Sequence, residues 1–300
     1  MLVGATAGLS DRVHAQSTGV AAQPPAAGWA PVAPNSNAVT RNADTSNLVA
    51  ITLTATLTDE GQPIDQGLIW HVFRHAPGPD GKRQLVSQNR EASPRLKLEP
   101  GDYMINAAFG RASLTRKITV AAGKPAAEKF SLNAGGLRIK AVLAHGEPAP
   151  DRSVTFDVLT EERDQAGNRI KLVSAAKPGL IMRLNAGVYQ VVSTYGDANA
   201  RVRAEVTVEP GKMTEATLNH TGAKVTFKLV NREGGEALAD VAWSIVSDHS
   251  DMVKESVGAL PTHILAAGRY AVLAKHQGRT FRAEFTAKPG EAAIVEVVAR

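Results

Sequence analysis

One six-residue phrase, Leu-x-x-Gly-x-Tyr, occurs three times in this 300-residue chain and decides most of what it can fold into. It reads Leu98-Glu99-Pro100-Gly101-Asp102-Tyr103, Leu184-Asn185-Ala186-Gly187-Val188-Tyr189 and Leu265-Ala266-Ala267-Gly268-Arg269-Tyr270. The tyrosines stand 86 and 81 residues apart, and three of the chain's four tyrosines occupy this one position. Self-similarity at a near-constant period is the mark of a structural unit used repeatedly.

A second match lies upstream of each phrase. Leu68-Ile69-Trp70-His71-Val72, Val154-Thr155-Phe156-Asp157-Val158 and Val241-Ala242-Trp243-Ser244-Ile245 each flank an aromatic, two residues away on either side, with aliphatics. That is the period of a strand with one buried face. After each tyrosine, Ile105 and Ala107, Val191 and Ser193, or Val272 and Ala274 continue the same face. Trp70, Phe156, Trp243 and the three tyrosines are therefore expected in three cores. Gly101, Gly187 and Gly268 are expected to supply backbone freedom at the corner, and each phenol can bury its ring while its hydroxyl bonds a loop carbonyl. No helical period is sustained over ten residues, whereas short alternating strands and turn clusters recur, as in an all-β sandwich.

The opening of each copy has the form strand, polar turn, Pro or Ala, strand: Thr58-Asp59-Glu60-Gly61-Gln62-Pro63-Ile64, Ala144-His145-Gly146-Glu147-Pro148-Ala149 and Asn231-Arg232-Glu233-Gly234-Gly235-Glu236-Ala237-Leu238. With the later corner, this resembles the carboxypeptidase-regulatory-like, or transthyretin-like, β-sandwich repeat over residues 47 to 300. The resemblance implies three tandem Ig-like sandwiches with Greek-key connections, and spacer, docking or carbohydrate-associated roles without catalysis. The expected organisation is a signal-peptide remnant at 1–16, a disordered Pro/Ala-rich linker at 17–46 with Trp29 as its sole aromatic, and repeats at 47–134, 135–221 and 222–300. Val13-His14-Ala15 before Gln16 fits a small-x-small cleavage site and predicts export to the periplasm or beyond, although Asp11 and Arg12 interrupt the apolar run. No later run approaches the ~18 apolar residues of a transmembrane helix. The joints Asn133-Ala134-Gly135-Gly136 and Asn219-His220-Thr221-Gly222 are short, which disfavours loose beads. Units about 35 Å long, from strands of about ten residues, would make a stiff rod of about 100 Å.

Chemistry is sparse. The absence of cysteine removes disulfides, thiolate metal sites and cysteine nucleophiles together. GxGxxG, GxxxxGK[ST], HExxH and GxSxG are all missing, so no catalytic residue and no cofactor is assigned. His71 and His75 share a strand face about 13 Å apart, too far to hold one zinc; His71, opposite Trp70, reads as a surface histidine. The acidic stretches at 161–168 and 248–251 lack the spacing of a calcium loop and read as turns. Leu137, Ile139 and Ala141 share the apolar face, which turns Lys140 outward and away from any isopeptide partnership with Asn219.

One candidate site remains. The strand after each corner carries arginines: Arg111 and Arg116, Arg201 and Arg203, Arg279 and Arg282. Guanidinium forks match phosphate, carboxylate or sulfate, so an anionic-polymer strip is the second functional reading, beside charges that keep strand edges from pairing. Phe281, between Arg279 and Arg282, is the one aromatic among them, too few for base stacking, which disfavours nucleic acid. The first reading is a non-catalytic rod that spaces or docks a protein partner in the cell envelope; polysaccharide is the alternative ligand.

Overall fold

The computed structural model describes residues 47–144 and 146–300. The expected signal segment, the linker with Trp29, and His145 lie outside the described residues. Twenty-one strands among the described residues form three groups of seven. Repeat 1 comprises β1 (Val49–Thr56), β2 (Leu68–Pro77), β3 (Arg83–Asn89), β4 (Arg95–Leu98), β5 (Gly101–Phe109), β6 (Ala112–Val120) and β7 (Ala126–Ser131). Repeat 2 comprises β8 (Ala134–Leu143), β9 (Val154–Arg163), β10 (Arg169–Ala176), β11 (Ile181–Asn185), β12 (Gly187–Tyr195), β13 (Arg201–Val208) and β14 (Met213–His220). Repeat 3 comprises β15 (Ala223–Val230), β16 (Ala242–Ser247), β17 (Met252–Val257), β18 (Thr262–Leu265), β19 (Gly268–His276), β20 (Arg279–Ala287) and β21 (Ala292–Val298).

Each group is a sandwich of a three-stranded and a four-stranded sheet, in the order β4-β1-β7 over β3-β2-β5-β6 in repeat 1. Repeats 2 and 3 use the same order, β11-β8-β14 over β10-β9-β12-β13 and β18-β15-β21 over β17-β16-β19-β20. The first and last strands of each repeat pair in parallel, Ile51 with Ala126, Leu137 with Thr214 and Val225 with Ala293. All other ladders are antiparallel. The chain is thus all-β, three tandem β-sandwiches, as the sequence implied.

Alternation builds three separate cores. β1 and β5 bury every second residue, and Trp70, Phe156 and Trp243 are at most 1 % exposed. The indoles are also satisfied: Trp70 Nε1 donates to the Glu91 carbonyl at 3.1 Å and Trp243 Nε1 to that of Gly258 at 2.8 Å. The corner tyrosines behave alike in all three copies. Tyr103, Tyr189 and Tyr270 donate their hydroxyls to the carbonyls of Glu99, Asn185 and Ala266, four residues upstream, at 2.9, 2.8 and 2.9 Å. Burial raises the phenols of Tyr103 and Tyr189 above their ordinary range, so they remain donors throughout physiological pH.

The corner glycines are not equivalent. Gly101 and Gly187 have φ of 149° and 156°, whereas Gly268 is absent from the positive region. A Cβ at Gly268 would meet the Tyr270 ring at an ordinary 3.7 Å. Only the first two copies therefore require glycine for its backbone freedom.

His220, at the end of β14, is 1 % exposed and its Nε2 lies 2.6 Å from the Ser193 hydroxyl. Burial holds its pKa below 6.5. Between that lowered value and 6.5 the unfolded chain binds more protons than the folded one, so repeat 2 loses stability as pH falls through this window.

Three outcomes are expected. Gly101→Ala should lower stability by about 1–2 kcal/mol, while Gly268→Ala is neutral or slightly stabilising in the same denaturant titration. Tyr189→Phe should lose about 1 kcal/mol by removing one hydrogen bond and leaving a carbonyl unmet. The melting temperature of repeat 2 should fall from about pH 7 to about pH 5, and His220→Gln should flatten that slope; an unchanged slope would assign the acid sensitivity to other groups.

Candidate functional site

The residues that could give a chain of sandwiches a collective property lie where one sandwich meets the next. In both joints the hairpin turn after the corner strand of one repeat packs on the Leu-x-x-Gly-x-Tyr corner of its successor. At the first joint the Arg111 amide donates to the Arg183 carbonyl at 3.0 Å, and the Ala186 amide to the Asn133 carbonyl at 2.6 Å. Asn185 bridges the same surfaces: its Oδ1 accepts from the Ser113 amide at 3.1 Å, and its Nδ2 donates to the carbonyls of Ser113 (3.2 Å) and Leu132 (2.8 Å). The Arg183 guanidinium lies 4.4 Å from the centre of the Phe109 ring.

At the second joint the bridging amide has changed sides. Asn199, in the turn after β12, accepts from the Ala266 amide at 2.9 Å through Oδ1 and donates Nδ2 to the Tyr270 hydroxyl at 3.0 Å. Ala266 occupies the corner position that Asn185 holds in repeat 2. Turn glycines set the distance of approach. A Cβ at Gly196 would stand 2.4 Å from the Ile264 side chain, and one at Gly110 3.0 Å from Arg183. Both have positive φ, 75° and 68°, so a side chain is strained by the backbone at either position and also excluded by contact at Gly196.

A second polar set closes this joint. The Asp197 carboxylate lies 2.8 Å from His263 Nδ1 and 3.0 Å from Lys254 Nζ, and His263 Nε2 lies 2.9 Å from the Ser256 hydroxyl. Partial burial pushes the Asp197 carboxyl up, but the hydrogen bonds and charges of Lys254 and His263 outweigh it and leave it below the usual carboxylate range. The spacing is that of a hydroxyl–imidazole–carboxylate relay. Its orientation is structural: Ser256 pairs across the ladder with buried Trp243, so its side chain points between the sheets. The set ties β17 and β18 to the turn of the preceding repeat.

The arginine strand divides on inspection of its faces. Arg116 shares the inward parity of Ile118, pairs with Glu128 at 2.6 Å and lies 4.5 Å over the Phe130 ring. Arg282 is paired with Glu284 at 2.9 Å, and Arg279 lies 5.0 Å from the Phe281 ring. Arg111 sits in the first joint's turn. Arg201 and Arg203 are exposed on one face of β13, opposite Thr194 and Val192. The structure thus brings together only those two of the six. Lys140 points outward, 54 % exposed and 3.1 Å from Glu215. Both joint asparagines and the Asp197 set were missed in the sequence, because their residue types are not shared by the three copies.

Residues 224–299, within repeat 3, match a family described as the Rhizobiales growth-associated tandem repeat domain. No curated protein matches the chain. Among solved structures, the chain is similar to the Bacillus anthracis TIE protein, at 15 % identity and a TM-score of 0.25 over 84 % of this chain and 50 % of that one. It is also similar to the streptococcal ancillary pilin, at 11 % identity and a TM-score of 0.27 over 84 % and 99 % of the two chains. The Streptococcus agalactiae minor pilin GBS52 gives 13 % identity and a TM-score of 0.30 over 57 % and 95 %. The chain spans half the length of the first of these.

Gly196→Val should spread repeat 2 from repeat 3 while leaving each core intact. The expected signature is faster hydrogen exchange at the Ala266 amide with unchanged protection in β12 and β19. A fluorophosphonate probe should leave Ser256 unlabelled; stoichiometric labelling would make the Asp197–His263–Ser256 set a nucleophilic site.

Proposed function

We propose that this chain is an exported, non-catalytic structural module, in which three carboxypeptidase-regulatory-like sandwiches at 47–134, 135–221 and 222–300 act as a stiff spacer or docking scaffold for a protein partner in the cell envelope. The observation that carries the reading is the joints. Each repeat completes its own core, yet the corners of repeats 2 and 3 are also hydrogen-bonded to the turn of the repeat before, an arrangement that fixes direction between units rather than merely linking them. The match of repeat 3 to a tandem-repeat family supports repetition as the design. Among the described residues no helix is long and apolar enough to cross a membrane.

A second reading, binding of an anionic envelope polymer, retains support from Arg201 and Arg203, which lie exposed two residues apart on one strand face. It predicts co-sedimentation with an acidic polysaccharide that weakens as salt rises and is abolished by Arg201→Ala with Arg203→Ala. Pelleting that ignores both changes would remove those arginines from consideration.

The cysteine-free sequence allows spin labels to be placed at will. Labels at exposed Lys97 and Lys212, and at Lys212 and Lys288, should give distance distributions across each joint as narrow as a pair within one repeat. Asn185→Ala and Asn199→Ala should broaden the first and second, respectively. Broad distributions in the unsubstituted chain would contradict a stiff module.

A further inference from the structure

The outer face of the β3-β2-β5-β6 sheet differs from its counterparts. Cross-strand pairing places His71 beside Asn106, Phe73 beside Met104, and Asn106 beside Thr115. The same positions in repeat 2 hold Asp157, Val192, Leu159, Gln190 and Arg203, and in repeat 3 Ser244, Leu273, Val246, Ala271 and Arg282. Charge on those two faces is matched in part, with Arg201 and Arg203 outside the pairs. Asp157 holds Lys171 at 2.6 Å, Glu205 holds Arg169 at 3.0 Å, and Glu284 holds Arg282.

Repeat 1 instead presents an open groove of about 760 Å³ with Phe73 and Met104 in its floor and Lys82 and Arg83 at its rim. No carboxylate lines it among the described residues. The Arg83 Nε donates to the His75 carbonyl at 3.2 Å, which steadies the guanidinium without neutralising it. The groove runs out to β3, the outermost strand of its sheet. There Leu85, cross-strand partner of Phe73, and Val86 are both exposed. The cations on the equivalent edge strands are engaged by carboxylates: Arg169 and Lys171 on β10, Lys254 on β17. Those on the repeat 1 hairpin are not.

From these features we infer that repeat 1 carries a docking site for an extended acidic polypeptide segment, which adds along the edge of β3, seats an apolar side chain between Phe73 and Met104, and places flanking Asp or Glu against Lys82 and Arg83. An apolar floor with uncompensated cations at its rim is complementary to an apolar residue flanked by carboxylates. An open edge offers main-chain hydrogen bonds that only a polypeptide uses fully, with alternate side chains read by pockets. The chain's own residues 17–46 are a poor occupant on the same ground, since Asp44 is their only acidic residue. The inference rests on the docking reading above and gives it a place and a partner chemistry.

The test is selection of a displayed random dodecapeptide library on the full chain, with Lys82→Glu/Arg83→Glu and Phe73→Ser chains selected in parallel. Recovered peptides should join Phe, Leu, Met or Trp to flanking Asp or Glu, bind about tenfold more weakly to the charge-reversed chain, and weaken as salt rises. Lys82 and Arg83 lie on an exposed hairpin, so this chain should melt like the parent even if Phe73→Ser does not. Peptides that bind all three chains equally would overturn the groove while leaving a docking module with its site elsewhere. Failure to recover any peptide, together with polygalacturonate pelleting that Lys82→Glu/Arg83→Glu abolishes, would replace the polypeptide by an anionic polymer. Failure of both probes would overturn the groove and count against the docking reading itself.

Discussion

The bond from each corner tyrosine to the carbonyl four residues before it is the contact on which the rest of this molecule leans. It closes the turn between the fourth and fifth strands of a repeat, and so between the two sheets of its sandwich. The ring fills the core while the hydroxyl donates to a carbonyl of the corner, two effects that a phenylalanine or a serine could supply only singly. In repeats 2 and 3 the closed corner has a second use. Asn185, whose carbonyl Tyr189 holds, sends its side chain into repeat 1, and Tyr270 itself receives Asn199 from repeat 2. Core formation and joint formation therefore share atoms.

This sharing accounts for the reuse of one motif at 86 and 81 residues with different neighbours around it. Each joint needs one bridging carboxamide, one glycine turn and one corner, but the carboxamide can come from either side. Asn185 projects backward from a corner, and Asn199 projects forward from a turn. The glycine allows a close approach, and at Gly196 the distance is one that no Cβ permits. The Asp197, Lys254 and His263 cluster adds a charged tie at the second joint alone, so the two joints are alike in geometry and unlike in chemistry.

Much of this was legible in the sequence because period-two burial and the corner phrase are properties of each copy taken alone. The buried aromatics and tyrosines fall where alternation puts them. The joints were not legible, since a contact between Asn185 and Ser113 spans 72 residues and recurs at no equivalent position. The six arginines share the strand after the corner but not one face: Arg116 is two residues from inward Ile118, whereas Arg203 is three from inward Val206 and points out. The groove in repeat 1 was hidden for a related reason. Phe73 and Met104 become neighbours only once the register of β2 on β5 is known.

The most direct measurement is site-resolved hydrogen exchange at the amides of Arg111, Ala186 and Ala266, which donate across the joints rather than within a sheet. If sandwiches and joints form one cooperative structure, these three should exchange as slowly as the amides of the corner strands β5, β12 and β19. Exchange at the rate of exposed loops, with the strands still protected, would mean that the repeats are independent beads and that the corner serves only its own core.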